Sequence, residues 1–209
     1  GLVIKDGRRA TVEENVIVAN RVGLKIDNGG TNSAEGGGAV ITANTIALNQ
    51  IGVELMTAKT ATLTENGFVE NTVQVVTDGK MHAIEWSLDG VGNYWSNYKG
   101  YDSDGDGVGD VAFVQGGTIA HTLTRSPVIL ALASGPGFRL LQAVEDRWAP
   151  ENPVALDQHP LMDRRSPDVT GELRPPPAPM WFGISGGVVA LASCWVLFRS
   201  RRPRRIEDV

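Results

Sequence analysis

Asp102, Asp104, Asp106 and Asp110, with Gly105, Gly107 and Gly109 between them, follow the D-x-D-x-D-G spacing in which carboxylate oxygens converge on a hard cation such as calcium. Counted from Asp102, the twelfth position of an EF-type loop is Phe113, not a bidentate glutamate. Calcium therefore competes with a metal-free turn, which Asp and Gly favour on their own. Just upstream, Tyr94, Trp95, Tyr98 and Tyr101 supply rings expected to cover an apolar surface while their polar tips stay hydrogen-bonded. The whole stretch from Gly92 to Asp110, GNYWSNYKGYDSDGDGVGD, occurs once in the chain and reads as a signature.

A second chemistry to weigh is carboxylate catalysis on polysaccharide, for which Asp27, Glu54, Glu65 and Glu70 are available. Neither an obvious pair nor a lysine or arginine base stands beside them, and solvated side chains explain them. No catalytic residue is expected. A polysaccharide-active enzyme and a calcium-stabilised surface module for carbohydrate binding or adhesion stand as the alternative readings.

The elements that must position these residues are repeats. Set one beneath another, ATVEENVIVANRVGLKI, AVITANTIALNQIGVEL and ATLTENGFVENTVQVVT, beginning at Ala10, Ala39 and Ala61, place the same residue classes in the same columns. Apolar columns run Val12, Ile41, Leu63; Ile17, Ile46, Phe68; Val22, Ile51, Val73; and Leu24, Val53, Val75. Asparagine columns run Asn15, Asn44, Asn66 and Asn20, Asn49, Asn71. Short β-branched runs punctuated by Asn or Gly are too short for helices and fit a solenoid whose turns stack. The fold class is therefore all-β, a right-handed parallel β-helix, with apolar columns inside and asparagines bonding to one another at the corners. The glycine-rich NGGTNSAEGGG from Asn28 to Gly38 reads as a loop leaving one coil. Trp86 and the aromatic cluster are expected to leave the last coil and close its apolar bore.

Composition bounds the rest. The chain has 209 residues with 25 glycines and only five phenylalanines, which argues against a large aromatic core. It opens on Gly1 with neither Met nor a leader and has three visible coils, so it is read as a fragment or mature form lacking an amino-terminal part. From Met180 to Phe198 there is no charge, a length that crosses a hydrocarbon layer as a helix. Five arginines follow at once, which puts the end of the chain in the cytoplasm and the rest outside. Those arginines against Glu207 and Asp208 give the tail plus three, so a chain of net charge −5 keeps minus eight elsewhere, and nucleic acid is excluded as a partner. Cys194, the single cysteine, lies within the apolar run and says nothing of redox compartment.

Asn-rich coils followed by GNYWSNYKGYDSDGDGVGD, and then by SPVILALASGPGFRLLQAVEDRWAPENPVALDQHPLM, resemble the carboxy-terminal half of the NosD family of periplasmic maturation proteins for nitrous oxide reductase, over roughly Ala10 to Met162. The resemblance implies a copper-related role outside the cytoplasmic membrane. It implies as partners the ATPase and permease subunits of an ABC transporter, with nitrous oxide reductase as client and copper supplied to its copper-sulfur centre. The apolar tail is not a usual part of the family pattern. Soft copper(I) takes thioether and imidazole groups. The exterior offers Met56, Met81, His82, His121, His159 and Met162, of which Met81-His82 is the adjacent pair and the first candidate.

The domain organisation expected is coils over 1–91, an aromatic and Asp-rich capping segment over 92–125, a helical docking segment over 126–165, a Pro-rich linker over 166–179, a transmembrane helix over 180–198 and a basic tail over 199–209. In the docking segment, Ser126-Pro127 and Ser134-Gly135-Pro136 are helix-start signals, and Phe138, Leu141, Val144 and Trp148 fall near one helical face.

Overall fold

A computed structural model describes residues 1–5, 10–27, 38–56, 60–78, 83–116 and 153–165. Its strands, in chain order, are β1 (Leu2–Lys5), β2 (Thr11–Glu13), β3 (Val16–Val18), β4 (Val22–Asp27), β5 (Ala39–Thr42), β6 (Thr45–Ala47), β7 (Ile51–Met56), β8 (Thr60–Thr64), β9 (Gly67–Val69), β10 (Val73–Thr77), β11 (Ala83–Glu85), β12 (Tyr94–Trp95), β13 (Phe113–Gln115) and β14 (Ala155–Asp157).

Each strand of a coil pairs with the strand three further on. The orders β1-β4-β7-β10, β11-β8-β5-β2 and β12-β9-β6-β3 make three four-stranded sheets. Every pairing in them is parallel, as in a parallel β-helix. Register fixes what the bore contains. Val12 pairs with Ile41 and Ile41 with Leu63; Ile17 pairs with Ile46, Ile46 with Phe68, and Phe68 with Trp95. Leu24, Ile41, Ile46, Val53, Leu63, Phe68 and Val75 are fully buried. Because side chains alternate across a strand, a slip of one residue would turn every one of these columns outward, so the interior itself enforces the register.

The corners explain the asparagines. Glu14, Ala19, Ala43, Leu48, Glu65 and Glu70 all have φ between 50° and 58°, and each immediately precedes a column asparagine. A left-handed conformation at a residue with a Cβ costs roughly 1–2 kcal/mol. At four of these bends the following asparagine offsets that cost by bonding back across it: Asn15, Asn20, Asn44 and Asn66 donate from Nδ2 to the carbonyls of Glu13, Val18, Thr42 and Thr64. The same side chains join the coils. Asn15 N–H donates to Asn44 Oδ1, Asn44 N–H to Asn66 Oδ1 and Asn66 N–H to Asn93 Oδ1, at 2.9 to 3.0 Å. A parallel ladder runs from Asn20 to Asn49 to Asn71.

Two expectations need correction. The chain does not leave the solenoid after Thr77: β11 and β12 continue its sheets, and Asn93 and Trp95 occupy the columns of Asn66 and Phe68. The aromatic segment is thus a further coil as well as a plug. Its spacing hides this, because a tight hairpin, with Leu88 and Val91 bridged around Asp89 and Gly90 at positive φ, lengthens the coil. The second correction concerns the span expected to be helical, 126–165. Its described part, 153–165, holds β14, which pairs antiparallel with β13. Ala155 and Asp157 alternate inward with Leu156 outward, which is strand periodicity. Residues 126–152, the linker from 166, the apolar run 180–198 and the basic tail lie outside the described residues. Among the described residues no helix is long and apolar enough to cross a membrane.

Candidate functional site: the closed end of the solenoid

The signature stretch builds the end of the solenoid residue by residue. Trp95 lies flat on Phe68 below it, ring centroids 4.2 Å apart at 8°, and Phe113 lies flat on Trp95 at 4.2 Å and 11°. Trp86 closes the side, 5.5 Å from Trp95. These rings continue the apolar column of Ile17 and Ile46 and shut the bore; a ring of this size buried in full contributes several kcal/mol.

Asn93 carries the ladder one coil further, and there it meets Asp157. Asn93 N–H donates to Asp157 Oδ2 at 2.7 Å, the indole N–H of Trp95 donates to the same oxygen at 2.9 Å, and His159 N–H donates to Oδ1 at 3.1 Å. Asp157 is fully buried. Burial pushes its carboxyl above the ordinary range, and the bonds from Trp95, Asn93 and His159 pull the other way. It stands where the next asparagine would stand and ends the ladder with a group that, ionised, only accepts. Gly92 makes this possible, since a Cβ there would overlap the Asp157 carboxylate.

The strap that follows Asp157 lies across the last coil. Gly92 N–H donates to His159 O and Leu161 N–H to Asn93 O, and Tyr94 and Leu161 form a parallel bridge. Arg165 reaches Glu65 at 2.9 Å, and Arg164 sits 5.9 Å over the Tyr94 ring.

Tyr98 holds the aspartate loop to this frame. Its hydroxyl donates to Val111 O and lies in a cradle that a Cβ on Gly100 or Gly109 would fill. Desolvation raises its pKa. Tyr101, expected to cover apolar surface, instead stands 62% exposed: its carbonyl accepts from Asp110 N–H at the neck of the loop, which leaves the ring outside.

Within the loop, one carboxylate oxygen each from Asp102, Asp104 and Asp106 can lie within 4.8 Å of the others. Asp102 accepts from Gly105 N–H and Gly107 N–H at 2.7 and 2.9 Å. Those bonds, Gly107 first, hold its pKa below the ordinary value. Asp106 Oδ1 accepts from Val108 N–H at 2.7 Å. Asp110 is turned the other way, to the N–H and hydroxyl of Ser103. The oxygen set of three carboxylates fits a hard cation. Asp110 is spent on closing the loop, and Phe113, in the twelfth position, is stacked in the bore.

Met81, His82 and His121 lie outside the described residues. Met56 ends β7, while His159 and Met162 lie on the strap, half-buried, with His159 Nδ1 3.3 Å from Ser87 Oγ. Of the carboxylates weighed for catalysis, Glu54 pairs with Lys25 at 3.1 Å and Glu65 with Arg165. Sequence reasoning passed over Asp157 and Gln115. Gln115 extends its side-chain amide along β10, bonding both the N–H and the carbonyl of Val75 as a neighbouring strand would. Neither residue carries a local signal, because its partner lies 40 to 64 positions away.

Residues 1–100 match the family model described as "Periplasmic copper-binding protein (NosD)". A Pseudomonas aeruginosa protein named "Probable ABC transporter binding protein NosD" is 34% identical over 124 residues, 58% of this chain and 29% of the relative. One of the same name from Stutzerimonas stutzeri is 37% identical over 98 residues, 46% of this chain and 22% of the relative. The chain thus spans less than a third of the length of these curated relatives. The stacked coils with Asn93 and Trp95 among them fall within the matched region, and over that part the chain is NosD-like.

Proposed function

We propose that the chain is part of an extracytoplasmic accessory protein of the NosD type, acting with an ABC transporter to support copper delivery to nitrous oxide reductase. The match of residues 1–100 to a family described as periplasmic and copper-binding carries this reading, together with relatives whose name refers to ABC transporter binding. The coils are read as right-handed, the hand that parallel crossover connections take. A non-catalytic role agrees with the engagement of Glu54 and Glu65 in ion pairs. The apolar run 180–198 is read as the anchor in the cytoplasmic membrane.

In this reading copper is cargo. Met81 and His82 are its first candidate ligands, and the aspartate loop is a separate, hard site for calcium. Deleting the gene in a denitrifying host should leave the reductase synthesised but short of copper in its copper-sulfur centre, and the intact gene should restore it. A fully loaded reductase in the deletion strain would end the proposal. Copper(I) titration of the protein, repeated with Met81→Ala and His82→Ala, tests the ligands; binding unchanged in both would remove that pair.

The alternative of a calcium-stabilised carbohydrate-binding module rests on the convergence of Asp102, Asp104 and Asp106. Retention of the protein on a polysaccharide column, lost with chelator, would favour it.

A further inference from the structure

The strap and the aspartate loop together form the outer margin of one sheet. Leu161 N–H donates inward to Asn93 O, so the strap lies beside β12. On its other side the loop lies beside the strap: Gly109 N–H donates to Pro160 O at 2.7 Å, and Met162 N–H to Gly107 O at 3.0 Å. Val108 and Leu161 are thereby bridged antiparallel. The sheet that begins at β3 therefore runs through β6, β9 and β12, then the strap, and ends at Gly107 to Gly109.

In such a bridge the N–H and carbonyl of Val108 point away from Leu161, toward whatever lies beyond the sheet. A parallel solenoid is exposed at this place, since an edge strand with open backbone groups is a template for another chain. Here that donor is taken. Asp106 folds back so that its Oδ1 accepts Val108 N–H at 2.7 Å. Asp104 accepts Asp106 N–H in the same way at 3.3 Å, and Asp102 takes Gly105 and Gly107. Asp104 and Asp106 are exposed, and so stand charged along the margin.

We propose that these aspartates close this edge of the solenoid against strand addition by a second copy of this chain. An incoming strand would have to displace Asp106 from the Val108 donor, and the charges of Asp102, Asp104 and Asp106 keep the same loop of an approaching copy from coming close enough to do so. The switch from parallel to antiparallel pairing at the strap brings the edge to a segment dense in carboxylates. This role needs no metal, and it is independent of any copper function.

The test uses the full chain in detergent with chelator present, so that no cation contributes. Asp104→Asn/Asp106→Asn keeps every oxygen acceptor of the turn and removes two charges. The double variant should self-associate with rising concentration under conditions where the parent sediments as one species. Adding Val108→Lys, which returns a charge to the same edge, should reverse this. Tryptophan emission, to which the buried Trp86 and Trp95 of the cap contribute, reports whether the cap has stayed closed; should the double variant disturb it, Asp104→Asn alone, at an exposed position, is read by the same criteria. A variant with native emission that sediments as the parent does at every concentration overturns the proposal, and so does association that Val108→Lys leaves untouched.

Discussion

Gly92 and Asp157 are fitted to each other across 65 residues of chain: the missing side chain of one is the space that holds the carboxylate of the other. Gly92→Ala should push Asp157 off Asn93 and Trp95 and cost about 1–3 kcal/mol, the range for forcing a methyl into packed structure. Urea unfolding followed by tryptophan emission measures it. A midpoint equal to the parent's would mean the clasp is looser than these distances show.

Asp157 also gives the cap a pH signature. Its carboxyl is raised by burial, so the folded state holds the proton more tightly than the unfolded chain does. The stability tied to this group is full below the unfolded carboxylate pKa, about 4, and declines as pH rises through the folded value. Asp157→Asn cannot titrate. The stability of the parent minus that of the variant should therefore fall with rising pH across that window, and a flat difference would contradict the buried, ionisable clasp.

The ladder should be costly to break in its middle and cheap at its start. Asn66 is fully buried and bonds to Ile41 O, Thr64 O and Asn93 Oδ1. Asn66→Ala leaves several buried partners unsatisfied and should cost about 2–4 kcal/mol, at roughly 1–3 kcal/mol for each group left without a partner. Asn15 is exposed, and Asn15→Ala should cost less than about 1 kcal/mol. Equal losses at the two positions would show that the bonds seen here do not set stability.

At the exposed corner residue Glu14, with φ 55°, glycine is the better residue. Glu14→Gly should raise stability by roughly 0.5–1 kcal/mol, the relief of left-handed strain less the added freedom of the unfolded chain. Thermal melting checks it, and a lower midpoint would speak against strain at these bends.

Calcium is the fifth variable. With a cation seated among Asp102, Asp104 and Asp106, the melting midpoint should rise with added calcium and return with chelator, by RT ln(1 + [L]/Kd). Asp104→Asn should reduce that response. A midpoint indifferent to calcium would leave the loop as a metal-free turn.

The coils were legible because one residue type recurs at one place per bend. The pairings Val12 with Ile41 and Ile41 with Leu63 follow directly from aligning the asparagines. What the columns do not show is the left-handed residue before each asparagine, since Glu, Ala and Leu carry no mark of positive φ. Asn93 and Trp95 were hidden in a different way: they keep the two-residue spacing of Asn66 and Phe68, but the hairpin at Asp89 and Gly90 displaces both. Asp157 could not be read locally at all. It becomes meaningful only when the fold brings β14 to the end of the ladder.

The bends fix the coils through asparagines that each bond the asparagine of the next coil, and nothing in that device depends on how much chain intervenes before the next bend. Successive turns can therefore differ in length, as the hairpin between Leu88 and Val91 shows, while the inner wall stays in step. Such a frame tolerates grafts: a lineage can lengthen a turn or plant a new recognition loop on the outside without rebuilding what lies within.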